Sequence, residues 1–108
     1  MKEQEYIVIL YDYYGELFND KQREYFEDYY FDNLSLSEIA DNDDISRNAV
    51  HKGIKNVVNK LYEYENKLRL YEKDNKLKGI IDKVSDKEIK KELEELLWKK
   101  DCQLKWTI

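Results

Sequence analysis

No proline interrupts these 108 residues, and glycine occurs only at Gly15, Gly53 and Gly79. A chain with so few breakers is expected to form long helices, because nothing removes backbone donors or loosens the main chain along most of its length. The apolar residues recur at helical spacing. Ile7, Leu10, Tyr11, Tyr14, Leu17 and Phe18 follow the i, i+3, i+4, i+7 rule and predict a first helix over about 3–18. A second helix, capped by Asn19 or Asp20, should carry Tyr25, Phe26, Tyr29 and Tyr30 on its apolar face as far as Phe31. The charged fraction is 40%, which alone would favour disorder, but fifteen aromatics at regular spacing can supply a core. The fold class expected is all-α.

A helix, a tight turn and a second cap follow one another over 35–61. Ser35 precedes Glu38 by three residues, the spacing of a capping box, and Leu36, Ile39 and Ala40 are placed to point inward. Asp41-Asn42-Asp43-Asp44 is a run of turn formers, with Ile45 expected to fill the corner and Ser46 to cap the next helix. Ala49, Val50, Ile54, Val57, Val58 and Leu61 form that helix's stripe, which continues through Tyr64, Leu68 and Tyr71. This reads as one helix of about thirty residues ending at Asp74-Asn75 or at Gly79. Ser85, with Glu88 as its partner, is expected to cap a last helix over about 86–97, with Ile89, Leu93, Leu96 and Leu97 inward. The domain reading is a single helical domain over 1–97, holding the helix-turn-helix at about 35–61, followed by a basic tail over 98–108.

Charge is unevenly placed. Residues 1–45 are net −10, residues 46–62 are net +4 with no acid, and residues 63–108 are net +1. The second helix of the motif is thus the one clearly basic segment of an acidic chain, and phosphate neutralisation dominates nucleic-acid affinity. Its exposed face should display Arg47, Asn48, His51, Lys52, Lys55 and Asn59. Arg can read guanine and Asn adenine, while Lys and His hold phosphate. Ser35, Ser37 and Ser46 are placed to contact phosphate at the helix starts.

Other chemistry is poorly supplied. His51 has no second His or Cys at ligand spacing, so no metal site is expected. Cys102 lacks a histidine partner and cannot pair within the chain, which fits a reducing cytoplasm. No Gly-rich phosphate loop, signal core or membrane span is visible, and a non-enzymatic, cytoplasmic protein without cofactor is expected. The Tyr25–Phe31 aromatics could form a stacking platform, although at helical spacing such residues more often form core. The stripe through Ile54, Val58, Leu61, Leu68 and Tyr71 either packs on the C-terminal helix of the same chain or pairs with a second copy. The homodimer is the favoured expectation, with Trp98 and Trp106 adding to the seam.

The stretch Leu34–Ala40 (LSLSEIA), followed by Ile45–His51 (ISRNAVH), resembles region 4 of bacterial sigma factors. The similarity is closer to the YlxM family of small helix-turn-helix proteins. It is carried also by Tyr11–Phe18 (YDYYGELF), Lys21–Phe26 (KQREYF) and Tyr64–Tyr71 (YENKLRLY), and covers about residues 5–97. The resemblance implies a sigma-region-4-like helical fold and a DNA-binding, regulatory role. It also implies a link to the signal recognition particle pathway, whose GTPase is commonly encoded beside family members. An interaction module contacting that GTPase or its RNA is the alternative, and a purely structural dimer a third reading. Two positions depart from the pattern. The family turn carries an apolar residue and then Gly or Asn, where this chain has Asp43 and Asp44. That removes a core contact at 43 and sets two carboxylates beside a phosphate-facing helix.

Overall fold

The computed structural model describes residues 3–98, and among these the secondary structure is entirely helical. Helix α1 spans Glu3–Tyr14 and tightens into a 3-10 turn over Gly15–Leu17. It is followed by α2 (Asp20–Tyr30), α3 (Leu36–Asp43), α4 (Arg47–Leu68), α5 (Leu70–Ile81) and α6 (Lys87–Glu94). The all-α expectation holds. None of the described helices is long and apolar enough to cross a membrane. The expected tail, with Cys102 and Trp106, lies outside the described residues beyond Trp98.

Local sequence sets most helix starts. Asn19 Oδ1 accepts from the Gln22 N–H at 2.8 Å while Gln22 Oε1 accepts from the Asn19 N–H at 3.0 Å, which fixes the entry to α2. At the end of α1 the chain runs close beside a ring. A Cβ at Gly15 would stand 3.2 Å from the Tyr11 ring, so any larger residue there would push that buried ring by a few tenths of an ångström.

The chain divides by packing into two compact units, Met1–Tyr64 and Glu65–Ile108. The first is built on aromatic rings. Phe26 of α2 is fully buried and stacks on Tyr11 of α1 at 4.0 Å and on Tyr30 at 4.5 Å between centroids. Tyr14 and Phe18 meet Tyr64 at 5.9 and 5.8 Å. The buried Tyr11 hydroxyl donates to Glu27 Oε2 at 2.6 Å, and its pKa is driven well above the ordinary tyrosine value, first by burial and then by that carboxylate. A second cluster of Ile39, Ala40, Val50 and Ile54 joins α3 to α4, flanked by Tyr25, Tyr30, Leu34, Leu36 and Val58.

In the second unit the expected thirty-residue helix is broken. Helix α4 stops at Leu68, and Arg69 takes the left-handed conformation (φ 56°, ψ 34°) before α5 begins. The buried Glu65 carboxylate receives two backbone donors from the first turn of α5, Tyr71 N–H and Glu72 N–H, each at 3.1 Å. Helix α5 then continues past Asp74-Asn75 and through Gly79 to Ile81. The start of α6 also differs from expectation. Asp86, not Ser85, is its cap, accepting from Glu88 and Ile89 N–H groups at 2.9 and 3.1 Å. A carboxylate one residue on outcompetes the hydroxyl because it binds backbone donors more strongly.

Candidate nucleic-acid interface

Helices α3 and α4 are joined by three residues. Asp44 adopts the left-handed conformation (φ 54°, ψ 45°), and its N–H reaches Asp41 O at 3.4 Å while Ile45 N–H reaches Ala40 O at 3.1 Å. These two bonds are the Schellman pattern, which ends a helix and reverses the chain at once. A short aspartate tolerates this conformation better than most side chains, which is why the turn forms without the glycine. Ser35 and Glu38 form the expected capping box at the start of α3, each bond 3.1 Å. Ser46 Oγ accepts from Ala49 N–H at 3.1 Å and starts α4. Ile45 does not fill the corner. It stays 38% exposed, and the corner closes on Ile39, Ala40, Val50 and Ile54. Ala49, placed in the stripe by its apolar character, faces solvent.

Asp43 has a different role from the one its sequence position suggests. Its Oδ2 lies 2.7 Å from Lys21 Nζ as an ion pair. The Lys21 hydrogen bond, aided by Tyr25, holds the Asp43 carboxyl below its ordinary value, and the same bond holds the Lys21 ammonium above its own. The Tyr25 hydroxyl is pushed up by burial first and by Asp43 second. Lys21 Nζ also sits 5.3 Å from the centre of the Tyr25 ring. That ring lies against Gly53 of α4, where a Cβ would meet it at 3.5 Å. The apolar contact that position 43 lacks is thus replaced by an ionic clamp from α2 onto the turn. The carboxylate is paired with a lysine, which reduces the repulsion it would offer a phosphate.

The basic face is presented as expected. Arg47, Asn48, His51, Lys52, Lys55 and Asn59 are all exposed on α4. At the helical repeat they occupy an arc of about 140°. The buried Val50, Ile54, Val57 and Leu61 occupy the opposite side. Among the described residues Arg47, Lys52 and Lys55 make no ion pair, so their charge is available to a ligand. Ser35, Ser37 and Ser46 are exposed at the helix starts, the first and last with their oxygens already accepting cap bonds.

The stripe proposed for pairing divides. Ile54 and Leu61 are buried within the chain at 5% and 0% exposure and present no surface to a second copy. Val58 and Tyr71 are half-buried, and Leu68 is exposed. The stripe is also cut at Arg69, so it is not one continuous helical seam. Sequence reasoning missed the Lys21–Tyr25–Asp43 clamp, which joins positions about twenty apart with no periodic signature.

Residues 1–100 match the family described as UPF0122, "Putative helix-turn-helix protein, YlxM / p13 like". The chain belongs to this family. It is 43% identical over 97 residues to a UPF0122 protein of Malacoplasma penetrans, covering 86% of this chain and 91% of the relative. It is 44% identical over 81 residues to one from Fusobacterium nucleatum (74% and 79% covered) and 53% identical over 64 residues to one from Shouchella clausii (59% of each). The resemblance to the YlxM family is therefore correct, and the capped α3–α4 pair is a helix, a tight turn and a second helix within the matched residues.

Proposed function

We propose that this protein is a cytoplasmic, non-enzymatic regulator that binds DNA through α4. One observation carries the reading. From Arg47 to Lys60 the helix bears four cations and no acid, and its exposed side chains sit at the N-terminal end, where this motif meets base edges. A homodimer would present two such helices to one duplex. Its seam would draw on Leu68 and its neighbours and not on Ile54 or Leu61. A second reading is contact with the GTPase or RNA of the signal recognition particle; the net charge of −10 over residues 1–45 supports its protein arm, since an acidic surface suits a basic protein partner.

A salt series with labelled duplex DNA, run beside the particle's RNA, tests both. Wild-type affinity for DNA should fall linearly on a log–log plot. R47A/K52A should weaken binding and flatten the slope by about 2, roughly one unit for each phosphate that is no longer neutralised. No binding to DNA at low salt would refute the first reading, and a preference for the RNA would favour the second.

A further inference from the structure

One wall of α4 faces a groove of ≈580 Å³ in the first unit. This size is within the range of small-molecule sites, about 300–1,000 Å³. Its apolar lining comes from Ile7, Leu34, Leu36, Ile54 and Val58. Tyr29 and Tyr30 form one side. Tyr30 is fixed by stacking on Phe26, and Tyr29 stands edge-on to it at 5.1 Å and 83°, with 38% of its own surface exposed. His51 and Lys55, one helical turn apart, line the α4 wall, while Glu3 and Gln4 line the wall made by α1. Basic, aromatic, apolar and polar side chains are thus gathered around one groove.

We propose that this groove receives a single unpaired nucleobase, with the adjoining phosphate held by His51 and Lys55. The inference rests on α4 being the nucleic-acid-binding face. An unpaired nucleotide matches the groove part by part. Its phosphate is an anion, its ring is flat and stacks on tyrosine, and its edge carries amino and carbonyl groups. Glu3 can accept from an exocyclic amino group, and Gln4 can both donate and accept. Stacking on an aromatic side chain is tolerant of base identity and strong enough to bias binding toward unpaired nucleotides. His51 and Lys55 belong both to the basic face and to the groove, so a backbone lying along α4 places a looped-out base at the groove mouth. The shared chemistry could come from bulged DNA or from looped RNA.

Four labelled hairpins test this: DNA and RNA, each fully paired or carrying one bulged adenosine. The bulged forms should bind the wild-type chain at least about five-fold more tightly, the lower end of what one stacked base contributes. Y29A should abolish that preference while leaving affinity for the paired hairpins unchanged, and Y29F should retain it, because stacking needs the ring and not the hydroxyl. The nucleic acid whose bulge is preferred identifies the source. Equal binding of paired and bulged hairpins overturns the groove proposal while leaving α4 as the binding face. Failure to bind any hairpin overturns both.

Discussion

Phe26, in the first unit, is fully shielded between two tyrosine rings, whereas Ile89, on α6 of the second, leaves half of its surface exposed. The contrast extends to their neighbours. Leu10, Tyr11, Val50 and Val57 are buried at 0%, while Ile80 and Leu96 are exposed at 53% and 70%. What orders the second unit is mainly carboxylate on backbone. Glu65 caps α5, Asp86 caps α6, and Asp74 accepts from the Trp98 N–H at 3.2 Å. Side-chain packing resists thermal and chemical challenge as a unit, whereas a cap holds only the turn it serves. The basic face of α4 is therefore mounted on the more closely packed part of the chain, which would hold it in the fixed register that the proposed function requires.

The largest effect should come from emptying the aromatic core. F26A should cost about 3–5 kcal/mol in urea unfolding, against less than about 1 kcal/mol for I89A. Similar losses from the two variants would erase the contrast. Next in size, E65A should cost about 1–2 kcal/mol, the usual range for removing a helix cap. It should speed hydrogen exchange at the Tyr71 and Glu72 amides while leaving those of α1 and α2 protected. Uniform acceleration would mean that Glu65 supports more than the start of α5. The smallest effect is expected at the turn. The Asp43 carboxyl is held below its ordinary value of 3.8, so its contribution is present above that pH and is lost as pH falls through the depressed value. D43N should lower the urea midpoint at pH 7, and the gap to wild type should close as the pH drops below 3.8. An unchanged midpoint at pH 7 would remove the clamp as a stabilising feature.

The helix-turn-helix was legible because its signals are local. Ser35 with Glu38 and Ser46 with Ala49 each act within four residues, and the inward positions from Ile39 to Ile54 keep helical spacing. The break at Arg69 was not legible, because Tyr64–Tyr71 keeps its apolar rhythm and contains no glycine or proline. The interruption comes from a glutamate that turns back onto the next helix, and Glu65 looks like any other surface acid in the sequence. The basic face of α4 could be read residue by residue. The groove beside it could not, because its far wall is supplied by Glu3 and Gln4, about fifty residues away.

The clamp on the turn has a consequence for inheritance. Lys21 and Asp43 lie 2.7 Å apart across two helices, and losing Lys21 leaves an unpaired carboxylate beside the basic face of α4. Losing Asp43 instead leaves Lys21 with Glu24, 3.7 Å away on its own helix. The dependence therefore runs one way: a carboxylate at 43 calls for a lysine at 21, whereas a lysine at 21 does not call for a carboxylate at 43.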